Sequence, residues 1–319
     1  MTEPDGSKRV PAVLRQFTLF VSTLTHLVPA RLSDLFSTVM ARLVYWKGHG
    51  QHSQVLQDFR DNVDPTAQLS ARKWHPVRAM YRALVRNAND AIWFLTATRG
   101  AALRRFTFSD LTPIKTALTD GLGAVVVFPH LGSYAALPAA LALNGIPTTV
   151  VANRQPGLMQ WVIARSAQKA GLELVAVDKA KGQSITAAME DAIHRGRVVS
   201  IAGDYYRSRG GGRSGVDVDL AGTRRTVGPG PALLALRTGA AIVPGAVFQD
   251  RHRREPVLGA PIIAGGPISR DDPGLPALVQ TTSQSIADAM GQFIKRCPEQ
   301  WVIPGGLVSN SLGRRRGEQ

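Results

Sequence analysis

Apolar residues fall into two textures along this chain. From about residue 11 to 110 they recur at helical spacing, whereas beyond Thr112 they gather into short runs separated by longer amphipathic stretches. The first texture predicts two apolar helices over Pro11 to Val44, parted near Pro29, and a third over Ser70 to Thr98, bent at Pro76. The second predicts strands at Ala124 to Phe128, Thr148 to Asn153, Leu172 to Val177, Val198 to Ala202 and Ala241 to Phe248. Helices are expected at Pro113 to Thr119, Tyr134 to Asn144, Gly157 to Ala170, Ser184 to His194 and Pro231 to Arg237. A longer one, Ala277 to Lys295, closes the fold. Valine-rich runs with few charges suit strands buried on both faces, and helices between them impose right-handed crossovers. The expected class is α/β, a mostly parallel central sheet flanked by helices.

At 319 residues without an obvious linker, the chain reads as one domain over residues 11–305. Its helical N-terminal part spans 11–110 and its sheet-containing core 111–305. Residues 1–10 read as a disordered tail and 306–319 as a basic, flexible one. No stretch reaches the roughly 18 to 20 apolar residues of a spanning helix. Phe17 to Ala30 is shorter, holds His26 and is interrupted by Pro29, with Arg15 and Arg31 at its flanks. It suits either a helix lying on a membrane surface or one packed on the core. Arg78, Arg82 and Arg86 recur every four residues, a basic stripe facing either solvent or anionic headgroups.

Charge narrows the partners. Thirty-eight Lys and Arg against 23 Asp and Glu give +15, which favours an anionic partner such as a membrane face. Aromatic residues make up only 6%, too few for a stacking nucleic-acid platform, so no nucleic acid is expected. The single cysteine, Cys297, rules out an intrachain disulfide framework and reads as a small buried residue. His49 and His52 alone are too few for a metal site, and none is expected.

Candidate chemistry collects where strands end. Pro129 cannot donate to a ladder and stops the first strand, so His130 sits at its carboxyl end, followed by Gly132 and by Ser133 as N-cap of the next helix. Ligands of open α/β sheets bind at that edge, and His130, Arg154 and Asp204 all follow strands there. A histidine in a cleft beside a carboxylate is a general base. Arg154 reads as an anchor for a phosphate or headgroup or as a surface cation. Gly132 and Ser133 shape the turn and offer amides to a developing oxyanion. Leu131-Gly-Ser-Tyr-Ala135 is not the nucleophile elbow of a serine hydrolase. Tyr205 to Gly215 combines three arginines, Arg207 and Arg209 among them, with four glycines, and reads as a phosphate clasp or a solvated connection. Arg251-His-Arg-Arg254 reads as a basic turn between two late strands, meeting membrane or solvent.

These segments together resemble the lysophospholipid acyltransferase superfamily, in its branch of bacterial lipid A lauroyl-type and phosphatidylinositol mannoside acyltransferases. Pro129-His-Leu-Gly-Ser-Tyr-Ala135 is similar to the start of the family motif H-x-G-N-W-[DE]. Val151-Ala-Asn-Arg-Gln-Pro156, Ile201-Ala-Gly-Asp-Tyr-Tyr206, Gly215-Val-Asp-Val-Asp-Leu220, Gly228 to Pro244 and Pro298-Glu-Gln-Trp301 look like later family segments in their proper order. The likeness covers about residues 20 to 302.

Position 135, where the family carries its acid, is alanine. The resemblance implies a substitute, because the mannoside branch pairs its histidine with a carboxylate well downstream, and Asp204 holds the corresponding strand end. On this reading His130 and Asp204 are catalytic and Arg154, Gly132, Ser133, Arg207 and Arg209 bind substrate. The implied activity is transfer of a fatty acyl group from acyl-CoA or acyl carrier protein to a hydroxyl or amine of a lipid or glycolipid. The donor is a co-substrate and no cofactor is implied. The implied setting is the cytoplasmic face of a bacterial membrane, with the protein a peripheral monomer on an anionic surface. The alternative is a catalytically silent lipid-binding relative.

Overall fold

Alternation between two cores is clearest in the strand at the middle of the sheet. In a computed structural model describing residues 10–47, 76–153, 157–177, 184–204, 215–250 and 253–302, every side chain of Ala124–Phe128 is buried. Val125 and Val127 enter one apolar cluster and Ala124, Val126 and Phe128 the other, so the strand is core on both faces. The strands in chain order are β1 (Ala124–Phe128), β2 (Thr148–Asn153), β3 (Glu173–Val177), β4 (Val198–Ala202), β5 (Val216–Leu220), β6 (Thr223–Val227), β7 (Ile242–Gln249) and β8 (Arg254–Leu258). The main sheet runs β3-β2-β4-β1-β7-β8. Neighbours are parallel except β8, which pairs antiparallel with β7. This is the expected α/β architecture, with all five predicted strands in it.

Helices cover both faces. Gly230–Thr238 and Leu275–Arg296 pack on the Val125 side. Leu137–Leu143 packs on the Val126 side together with Trp93 and Phe94 at the end of Pro76–Phe94. The separate hairpin β5-β6 turns through Ala221 and Gly222, both at positive φ, as a two-residue hairpin loop demands. Only its alternation marks it in the sequence, with Val218 and Leu220 buried and Asp217 and Asp219 outward.

The segment expected as one helix from Tyr134 to Asn144 begins as a 3₁₀ turn, Tyr134–Ala136, before the α-helix Leu137–Leu143. Ser133 does not cap it by a side-chain hydrogen bond. The terminal tails, and the histidines at 49 and 52, lie outside the described residues.

Hydrogen bonds dock the N-terminal helices Ala12–Leu27 and Ala30–Lys47 on Pro76–Phe94: Ser22 Oγ donates to the Ile92 carbonyl (2.5 Å), and His26 Nε2 lies 3.1 Å from the Trp93 carbonyl oxygen. Asn89 Nδ2 donates to Ser37 Oγ at 3.0 Å. Arg82 and Arg86 both bind Asp34, which corrects the expectation of a solvent- or lipid-facing stripe at these two positions. Much of the apolar surface of both helices stays exposed: Val13, Phe17, Phe20, Leu24 and Leu27 form a stripe on the first helix. Leu32, Leu35, Phe36, Val39, Leu43 and Trp46 form another on the second. No helix among the described residues is long and apolar enough to cross a membrane.

Arg254 also departs from expectation. It opens β8 and points inward, binding Asp90 through Nε (2.5 Å) and Nη2 (3.0 Å). Arg105 and Ser133 donate to the same carboxylate. Removing one partner of a buried charge leaves the other uncompensated, whereas an exposed pair is screened by water. The Arg254 and Asp90 side chains are 7% and 1% exposed, against 84% and 51% for Arg224 and Asp217. In urea denaturation, Arg254→Ala is expected to cost about 3 kcal/mol. Arg224→Ala should stay within about 1 kcal/mol.

Candidate active site

Strand register brings the two predicted partners together. β1 and β4 pair with Phe128 opposite Ala202, and Gly203 N extends the ladder by donating to the Phe128 carbonyl at 3.0 Å. Two residues beyond Phe128 is His130, and two beyond Ala202 is Asp204. A β-carbon on Gly203 would lie 2.5 Å from Val127 Cγ1, so glycine permits this close crossing.

Asp204 holds His130 at two points. Its Oδ1 lies 2.6 Å from the ring Nδ1, and its Oδ2 accepts the His130 backbone N–H at 2.8 Å. Trp301 Nε1 donates to the same Oδ2 at 2.9 Å, and the Arg225 guanidinium stacks over the Trp301 ring. The carboxylate side chain is 0% exposed and the imidazole 23%. With Nδ1 committed to Asp204, the neutral ring carries its proton there and presents Nε2 as the basic nitrogen. Burial disfavours the imidazolium, but the hydrogen bond and charge of Asp204 outweigh it and raise the His130 pKa above its ordinary value. Tyr134 meets the imidazole edge-to-face, with centroids 4.7 Å apart. Burial and the Asp204 charge push its phenol pKa up.

The turn between is stitched from both sides. Gly132 N donates to the Gln300 carbonyl and Ser133 N to the Val247 carbonyl, each at 2.9 Å. Val302 N donates to the His130 carbonyl at 2.8 Å, and the Gln300 side chain bridges both backbone groups of Gln249. Gly132 has φ +60°, and a β-carbon there would lie 2.2 Å from the Val247 oxygen.

This geometry bears on the expectation that Gly132 and Ser133 offer amides to an oxyanion. Their amides are already engaged, which removes them as oxyanion donors. The Ser133 hydroxyl is buried, donating to Asp90 and accepting from Gln249 Nε2 at 3.2 Å, so it holds the turn. Ala135, where the family acid would stand, is exposed on the 3₁₀ turn. Arg154, Arg207 and Arg209 lie outside the described residues. Half-buried Cys297 has its thiol pushed up to about 11, chiefly by burial and then by the Glu299 charge, which keeps it protonated near neutrality.

Trp301 and Asp90 have no role that the sequence alone assigns. Trp301 was visible only as part of a family segment. Asp90 carried a signal of its own, as the one acidic residue in the Pro76–Phe94 helix among several arginines.

A buried carboxylate fixing a histidine at the carboxyl edge of a parallel sheet is the arrangement that general-base chemistry requires. The model of the family described as bacterial lipid A biosynthesis acyltransferase matches residues 7–303, and the chain belongs to that family. A phosphatidylinositol mannoside acyltransferase of Mycobacterium tuberculosis is 26% identical over 209 residues, 64% of this chain and 61% of that relative. The protein of the same name from Mycolicibacterium smegmatis is 27% identical over 169 residues, 53% of this chain and 54% of the relative. The matched portion therefore spans less than two thirds of either relative's length.

In an NMR titration of the imidazole signals, His130 is expected to titrate above the ordinary 6.5. Asp204→Asn removes the charge that opposes burial, so the midpoint should fall by about one pH unit or more. An unchanged midpoint would assign the shift to something other than Asp204.

Proposed function

We propose that this chain is an acyltransferase that moves a fatty acyl group from a thioester donor, acyl-CoA or acyl carrier protein, to a hydroxyl or amine of a lipid or glycolipid acceptor. The observation that carries the proposal is the buried Asp204 carboxylate fastened to His130 Nδ1. Family membership supports the reaction class and the mannoside-acyltransferase relatives support a glycolipid acceptor.

In the proposed step His130 Nε2 takes the acceptor O–H proton as that oxygen attacks the thioester carbonyl carbon. The tetrahedral intermediate collapses, the C–S bond breaks, and the departing thiolate recovers the proton from the imidazolium. Asp204 keeps the ring oriented and offsets its positive charge without taking the proton. No covalent acyl-enzyme is required. Because the Gly132 and Ser133 amides are engaged, stabilisation of the oxyanion falls to other donors.

The proposed setting is the cytoplasmic face of a bacterial membrane, with the protein bound peripherally. Two exposed apolar stripes on helices docked by hydrogen bonds and an ion pair support this, as does the +15 charge toward anionic lipid. Burying two phenylalanines in the interface is favourable by several kcal/mol. Phe17→Ser with Phe20→Ser should therefore weaken association with anionic phospholipid vesicles at least about tenfold. The melting temperature should be unchanged, since both side chains are 60% exposed.

The chemistry is tested by turnover with acyl-CoA and a mannosylated phospholipid acceptor. His130→Ala and Asp204→Ala should each lower kcat/KM by at least about a hundredfold. The wild-type rate should rise with pH through a midpoint above 6.5, because the base works only when neutral and its pKa is raised. Full turnover in either variant would remove the dyad, and inactivity of the intact protein with every donor and acceptor would favour the silent lipid-binding alternative.

A further inference from the structure

A cavity lies away from His130, between the N-terminal helices and Pro76–Phe94. Its volume is about 730 Å³, within the roughly 300–1,000 Å³ of small-molecule sites. Val21, Leu24, Val28, Leu32, Phe36 and Ile92 supply apolar wall, with the Trp93 indole among them. Leu24, Val28, Leu32 and Phe36 keep more than two fifths of their surface exposed, so the cavity is continuous with the outward apolar stripes. A wall so apolar, left open to the outside, favours an aliphatic occupant over water.

Among the charged groups of the wall, three are arginines and one is an aspartate. Arg86, Arg105 and Arg254 line the cavity with Asp34, and Asp90 lies behind Arg105 and Arg254 as their hydrogen-bond acceptor. Arg105 lies over the Trp93 ring at 4.6 Å and gives one nitrogen to Asp90, while its buried Nε has no hydrogen-bond partner. A buried donor left unpaired is costly, and an anionic oxygen beside it removes the cost. His130, Tyr134 and Asp204 do not line the cavity. The Asp90 cluster separates it from the catalytic turn, because Asp90 binds Arg105 and Arg254 from the cavity wall and the buried Ser133 hydroxyl of that turn.

We propose that this cavity binds one long aliphatic chain of an anionic lipid drawn from the membrane, with the lipid's acidic oxygens at Arg105, at a site separate from the acyl-transfer centre. A chain held there would anchor the helical pair more firmly than the outward stripes alone, without entering the reaction.

Bromine quenches indole fluorescence only near contact, so a brominated long-chain fatty acid reads this site directly in the full chain. Saturable quenching is expected in the wild type and in His130→Ala, and Trp93→Phe should lose most of it. Ala88→Phe, which places a ring at an exposed wall position, should weaken binding about tenfold or more. Arg105→Met should weaken binding of the fatty acid about tenfold while leaving the brominated alcohol of equal chain length nearly unaffected. Quenching that survives Trp93→Phe and Ala88→Phe would show adsorption to the outward stripes and overturn the proposal. Loss in His130→Ala would place the chain in the reaction centre and overturn it equally. Because binding is read without turnover, an inactive protein that still quenches would count against the acyltransfer reading alone.

Discussion

The site depends on one carboxylate out of contact with water. Asp204 accepts from the ring and the backbone of the same histidine and from a tryptophan that arrives from the far end of the chain. A carboxylate so buried is tenable only when its oxygens are hydrogen-bonded, and these donors provide that. Holding both the amide and the imidazole of His130 fixes where the strand stops as well as how the ring turns. The Pro298–Gln300 turn and Trp301 then lock the same loop from outside, through Gln300 and Val302. The termination of β1, the close of the last helix and the orientation of the base are thus one structural arrangement.

A second buried carboxylate, Asp90, performs a similar task one layer away. It gathers Arg105, Arg254 and Ser133, from three separate parts of the chain, around the helix that also docks the N-terminal pair. That pair attaches by serine, histidine and an Asp34 ion pair and leaves leucines and phenylalanines exposed. Such a distribution is unfavourable in water and sensible against lipid. The basic balance of the chain is therefore spent partly inside it. Arg82, Arg86, Arg105 and Arg254 serve carboxylates of the chain itself.

Much of this was legible because parallel sheets impose simple rules. Uncharged valine runs mark strands buried on both faces, and a proline after such a run marks its end, which put His130 at the right edge. The partnership with Asp204 was reachable only through family likeness, since Ala135 removes the local acid. Register supplies the physical reason, with the two residues equally far beyond paired strand ends. What stayed hidden were side-chain directions. Nothing in Arg251 to Arg254 tells that its last arginine turns inward, and nothing in Leu131 to Ser133 tells that neighbouring carbonyls occupy its amides. Both outcomes depend on Asp90, Val247 and Gln300, which come from distant parts of the chain. The β5-β6 hairpin escaped for a local reason, because five alternating residues give little periodicity to read.

The central claim is that Asp204 replaces the missing motif acid as the direct partner of His130 Nδ1. Proton NMR of the protein labelled with ¹⁵N-histidine tests it most directly, since a short hydrogen bond to a carboxylate moves an imidazole N–H proton far downfield. One such proton, bonded to Nδ1, is predicted in the intact protein and should be absent from both His130→Ala and Asp204→Asn. Its persistence in Asp204→Asn would contradict the account.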